Sequence, residues 1–117
     1  MACAAALATL DIYREEDLFG RAQKLEPVLE EAVHELRNAP FVIDIRNVGM
    51  AAAIELEPDP AAPGRRGYEI IQRAFRDENL VVRVSGDTIA LSPPLIASES
   101  DLSDIVERVF RILERLT

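Results

Sequence analysis

Residues 80–91 read LVVRVSGDTIAL: two short apolar runs, Leu80–Val84 and Thr88–Leu91, with only Ser85-Gly86-Asp87 between them. A link that short closes a hairpin, whereas parallel neighbours need a crossover of about a dozen residues or more. Phe41–Asn47 (FVIDIRN) repeats the pattern, alternating apolar and polar over Val42–Arg46. Met50–Glu57 (MAAAIELE) follows it as a hairpin partner across a Val48-Gly49 turn. Antiparallel pairing is therefore built into the spacing.

The remainder reads as helix. Leu18, Ala22, Leu25, Leu29, Val33 and Leu36 recur at three- and four-residue steps and predict a helix over 15–38 with one buried face. Pro27 lies inside it and predicts a kink or break, because proline lacks the amide hydrogen and crowds the preceding turn. Gly67–Asp77 fits a shorter helix with Ile70, Ile71, Ala74 and Phe75 inward. Ser98, with Asp101 three residues on, predicts the capped start of a final helix striped by Leu102, Ile105, Val106, Val109, Phe110, Leu113 and Leu116. Glu57–Arg66 is a loop rich in proline and glycine.

Helices interleaved with hairpins make an α+β two-layer sandwich, a small, mostly antiparallel sheet with helices on one face, preceded by a long N-terminal helix. That first helix, residues 2–14 (ACAAALATLDIYR), has no polar side before Asp11, so it should pack against something outside the rest of the chain. Cys3 within it reads as small buried filler. With 117 residues, 49% of them hydrophobic and 29% charged, a single domain over 1–117 with one core is expected.

Several function classes drop out. A net charge of −8 argues against nucleic acid, and no apolar run approaches a membrane span. A lone cysteine precludes an internal disulfide and suits a cytoplasmic protein. His34 lies four residues after Glu30, but two side chains do not make a metal centre, so no metal site is expected. Lys24, the one lysine among 13 basic residues, stands on a polar helix face beside Glu26, so no lysine suited to forming a Schiff base is present.

Arg83 is different. Alternation puts Leu80, Val82 and Val84 on one face of the strand and Val81 and Arg83 on the other. If the first face meets the helices, Arg83 projects from the open side of the sheet. Arginine is common on exposed sheet faces, yet apolar neighbours and a planar fork also suit bidentate capture of a carboxylate. The residues themselves leave both readings open.

The stretches ACAAALATLDIYREEDLF, VIDIRNVGMAAAIELE and GYEI…NLVVRVSGDTIALSPPLI, in that order, resemble the C-terminal part of the class III pyridoxal-phosphate-dependent aminotransferases, nearest the omega-amino acid (β-alanine):pyruvate branch. The resemblance covers nearly the whole chain. It implies the small C-terminal domain of a fold-type I aminotransferase, packed on a large cofactor-binding domain within a homodimer. Arg83 matches the position that binds the substrate carboxylate and swings aside for uncharged groups. Ser92-Pro93-Pro94 matches a motif that shapes the wall near the site. The family's cofactor lysine, its pyridine-nitrogen aspartate and its Gly-rich phosphate contacts have no counterpart here, and Lys24 matches no catalytic position. The resemblance thus implies a fragment, with Met1 standing where the family continues upstream. Pyridoxal phosphate belongs to the parent enzyme, with no catalytic or cofactor-binding residue in this chain. The alternative is a stand-alone carboxylate-binding or protein-interaction module.

Overall fold

The computed structural model describes Met1–Thr117. In chain order it contains α1 (Ala2–Glu15), α2 (Leu18–His34), a short 3-10 turn (Glu35–Asn38), β1 (Val42–Val48), β2 (Ala51–Leu56), α3 (Arg65–Asp77), β3 (Arg83–Ser85), β4 (Thr88–Leu91) and α4 (Glu99–Leu113). The four strands form one antiparallel sheet in the order β1-β2-β4-β3. Helices α2, α3 and α4 lie against one side of it, which gives the expected α+β sandwich with its N-terminal helix.

Register explains the core. Ile45, Ile54, Ile89 and Val84 stand opposite one another across the four strands, so their side chains share one face. That row meets Leu25, Leu29 and Val33 of α2, Ile70 and Ala74 of α3, and Leu102, Val109 and Leu113 of α4. The helical stripes of α2 and α4 are buried much as their spacing predicts, although Phe110 is partly exposed and Ile112 is buried instead. Ser98 caps α4 as expected: its hydroxyl accepts from Asp101 N at 3.1 Å, and its own amide donates to Asp101 Oδ2 at 2.8 Å.

Several local expectations are corrected. The helix predicted over 15–38 is divided, because Asp17 takes a left-handed conformation between α1 and α2 and the last turn tightens to 3-10. It does not break at Pro27; buried Leu25, Leu29 and Val33 on both sides of the proline hold α2 continuous. The first hairpin turns at Gly49-Met50, one residue later than predicted, with Gly49 at φ 53°. The strand expected from Leu80 begins only at Arg83, since the Leu80 amide donates back to Ala74 O of α3 at 2.8 Å. Ile71 and Phe75 face outward, because Gly67, Ile70 and Ala74 form the buried face of α3. Helix α1 buries none of its residues, and Cys3 is exposed, not buried filler.

Candidate active-site face and family assignment

The open face of the sheet follows from the same register, one residue out of phase. Arg83 stands opposite Ala90, Ala90 opposite Ala53, and Ala53 opposite Arg46. The next row is Ser85, Thr88, Glu55 and Asp44. Two arginines therefore flank a floor of two alanines, about 14 Å apart at the backbone given the usual strand spacing. Side chains this small leave the middle of the face shallow and accessible to whatever lies on it.

The arginines are in opposite electrostatic states. Arg46 is neutralised locally: its Nη1 donates to Asp44 Oδ2 at 2.6 Å and to Glu55 Oε2 at 2.7 Å. Those bonds, Glu55 first and Asp44 second, raise its pKa above the ordinary guanidinium value. Arg83 is exposed and takes part in none of the chain's ion pairs. An unpaired guanidinium at the edge of an alanine floor is a ready partner for a carboxylate.

The segments around it are tied down by contacts between distant residues. Asp87, in the β3–β4 turn, accepts from Gly64 N at 2.7 Å and Gly67 N at 2.9 Å at the start of α3. Arg21 of α2 donates to the carbonyls of Leu95, at 3.2 Å, and Ala97, at 2.7 Å, and so holds the chain that leaves the Ser92-Pro93-Pro94 segment. Sequence reasoning missed both. The Gly-Asp pair at a turn was a signal for the first, since aspartate side chains bind nearby amides; nothing marked the second.

The other singled-out residues are not drawn to this face. His34 Nε2 lies 3.0 Å from Asn47 Oδ1, and Arg37 Nη2 lies 3.3 Å from its Nδ1. Both nitrogens are occupied without Glu30. Lys24 is exposed on α2, in the helical layer. A cleft of about 520 Å³ lies between α2 and α4 and is lined by Val28, Leu36, Val106 and Phe110 among others, without Arg83.

A class III aminotransferase model matches residues 1–113. The chain belongs to that family. An omega-aminotransferase of Caulobacter vibrioides is 51% identical over 113 residues, covering 97% of this chain and 26% of that protein. A β-alanine–pyruvate aminotransferase of Pseudomonas aeruginosa is 36% identical over 93% of this chain and 24% of its own length. The solved omega transaminase of Pseudomonas jessenii in complex with PMP superimposes with a TM-score of 0.85 at 34% identity, over 95% of this chain and 26% of that one. The chain thus spans about a quarter of the length of these relatives.

The family implies pyridoxal phosphate, but the residues here do not fit it. Its phosphate favours free amides at a helix start; those of α3 and α4 are engaged by Asp87 and by Ser98 with Asp101, and α1 and α2, which begin without a capping side chain, do not lie on the face that carries Arg83. Its aldehyde needs a lysine at the site, and Lys24 stands on a helix of the layer behind the sheet.

Proposed function

We propose that residues 1–117 are the small domain of a cytoplasmic transaminase that moves an amino group from an omega-amino acid or amine to pyruvate. In this reading the domain works beside a large domain that holds pyridoxal phosphate and the reacting lysine, in a homodimer. Its own contribution is Arg83, which binds the substrate carboxylate, and the alanine floor beside it, which lets the substrate lie close to the sheet. The chain alone is inactive, because it brings a binding group and no group that moves a proton or holds the cofactor. The observation that carries this reading is the unpaired Arg83 guanidinium on the open face, in a chain that belongs to the class III aminotransferases. The exposed apolar residues of α1 also favour it over a stand-alone module, since a free-standing domain has no use for an uncovered apolar helix.

The test is a graft of residues 1–113 in place of the matching segment of the Caulobacter vibrioides relative. Arg83→Ala in that graft is expected to raise KM for β-alanine about tenfold or more, as loss of a charge-assisted hydrogen bond should. KM for benzylamine, which has no carboxylate, should hold steady. Equal losses with both donors would refute the assignment. The chain by itself, given pyridoxal phosphate, should transfer no amino group from β-alanine to pyruvate.

A further inference from the structure

β3 is the least supported strand of the sheet. It is three residues long, lies at the edge of the strand order and pairs only with β4. The residues leading into it, Leu80–Val82, form no ladder. Strands this short do not hold their own position and open readily unless something outside the ladder fixes them. Yet Arg83, the residue whose placement decides what the open face recognises, is the first residue of this strand.

The missing support comes from α3. The amino end of that helix has Gly64 at its cap position and no capping side chain of its own. Asp87 supplies one from the far end of the hairpin, with Oδ2 2.7 Å from Gly64 N and Oδ1 2.9 Å from Gly67 N. A carboxylate on amides at a helix start is a favourable charge–dipole pairing. The same residue's carbonyl accepts from Leu56 N of β2 at 3.0 Å. Contact between turn and helix is close enough that a Cβ on Gly67 would lie 2.0 Å from Gly86 O and 2.6 Å from Val84 Cγ1. One side chain thus joins the β3–β4 turn, the first turn of α3 and the end of the 57–64 loop. Arg66, in that same first turn, donates to the Glu57 carbonyl and lies over the Phe41 ring at 3.9 Å, so the loop is braced as well.

We propose that Asp87 is a positioning residue for Arg83. By binding the Gly64 and Gly67 amides it fixes the turn end of β3 against α3, and so sets where the Arg83 guanidinium stands over Ala90 and Ala53. This assignment rests on Arg83 as the carboxylate-binding residue. Arg83 has no ion pair to steer its side chain, so its backbone position is what the substrate meets. Helix α3 and the 57–64 loop then belong to the support of the site.

The test uses the isotope-labelled full chain carrying Asp87→Ala or Asp87→Asn, studied well below its unfolding temperature. Amide exchange at Gly64 and Gly67 should rise about tenfold in Asp87→Ala, the consequence of losing one ordinary hydrogen bond at each. Residual dipolar couplings of Arg83–Ser85 should shrink, while those of β1, β2 and α4 hold. Asp87→Asn keeps one acceptor oxygen and should recover part of both effects. Unchanged β3 couplings, or an equal loosening of every element, would overturn the proposal. In the grafted enzyme, Asp87→Ala should raise KM for β-alanine about tenfold, a typical cost of a misplaced binding group, and leave benzylamine unaffected. A matching loss with both donors makes Asp87 merely structural and overturns the proposal alone. If Arg83→Ala itself fails to separate the donors, the carboxylate reading falls and this assignment falls with it.

Discussion

Glu78, at the carboxyl end of α3, accepts two hydrogen bonds from Arg111 of α4, from Nε at 3.0 Å and from Nη2 at 2.8 Å. Arg115 lies 3.5 Å from its other oxygen, and Arg108 donates to its backbone carbonyl. Glu78 is the one charged residue that is buried, and it clamps two helices that otherwise meet through apolar contacts. A buried carboxylate is tolerated only when its oxygens are satisfied, and here Arg111 at one oxygen and Arg115 at the other see to that.

This clamp predicts acid sensitivity. The Arg111 hydrogen bonds, above all, hold the Glu78 pKa below its usual 4.5. A folded-state pKa below the unfolded one contributes stability that is fully present above pH 4.5 and is lost as pH falls through the folded value. Asp101 acts in the same direction, its pKa lowered from 3.8 by hydrogen bonds from Ser98. Denaturant midpoints measured at pH 7, 5, 4 and 3 should fall below pH 4.5. In Glu78→Gln the midpoint should be lower at neutral pH and its acid decline shallower. Two parallel curves would show that Glu78 does not carry the dependence.

Core and cap substitutions should separate by burial. Ile54 is fully buried in the central row of the sheet, so Ile54→Ala should cost about 2–5 kcal/mol in denaturant unfolding. Ile43, on the same β-hairpin but largely exposed, should change stability by no more than about 0.5 kcal/mol when truncated to alanine. Ser98→Ala removes the oxygen that accepts from Asp101 N and should cost about 0.5–2 kcal/mol. An Ile43 effect as large as that of Ile54 would mean that the bulge between Val42 and Asp44 does not turn Ile43 out of the core.

Much of this arrangement was legible in the sequence because it is local. The stripes of α2 and α4 follow from backbone periodicity, and Val82 and Val84 pack on the core while Arg83 is exposed, as alternation requires, although Val82 lies outside the ladder. What was not legible depends on pairs far apart in the chain. Ile71 and Phe75 have the composition of core residues, but the rotation of α3 is set by Gly67 against Gly86, 19 positions later in the numbering. The clamp of Glu78 by Arg111 and the cap of α3 by Asp87 are likewise tertiary contacts that no window of the sequence contains. Arg83 fell between these cases: its face was readable, but its lack of a counter-ion emerged only once every carboxylate had been placed.

That Gly67–Gly86 contact is testable on its own. Gly67→Ala puts a methyl group 2.0 Å from a backbone carbonyl that cannot rotate away, so helix and hairpin must separate. Overpacking of this kind should cost about 1–3 kcal/mol, even though alanine favours a helix interior. At Gly64, open space surrounds the missing side chain, so an alanine there is opposed only by its positive φ of 85°. Thermal melts of the two variants should therefore rank Gly67→Ala as the less stable. The reverse order would mean that the turn yields and that α3 is not seated on it.

The exposed face of α1 makes a prediction about association. Leu7, Leu10 and Ile12 are all exposed on a helix that buries nothing, and Phe19 adds a further large exposed surface just beyond it. Contiguous apolar surface of this kind is costly to leave in water and is normally covered by a partner. In isolation the chain should therefore self-associate as its concentration rises, with α1 in the contact. Leu7→Glu together with Leu10→Glu should shift it towards monomer in light scattering while leaving the unfolding midpoint nearly unchanged, because neither side chain contributes to the core. Unfolding that tracks the loss of association would instead place α1 in the stability of the fold, and unchanged scattering would move the sticky surface elsewhere, with the outward Tyr68 and Phe75 of α3 the next residues to substitute.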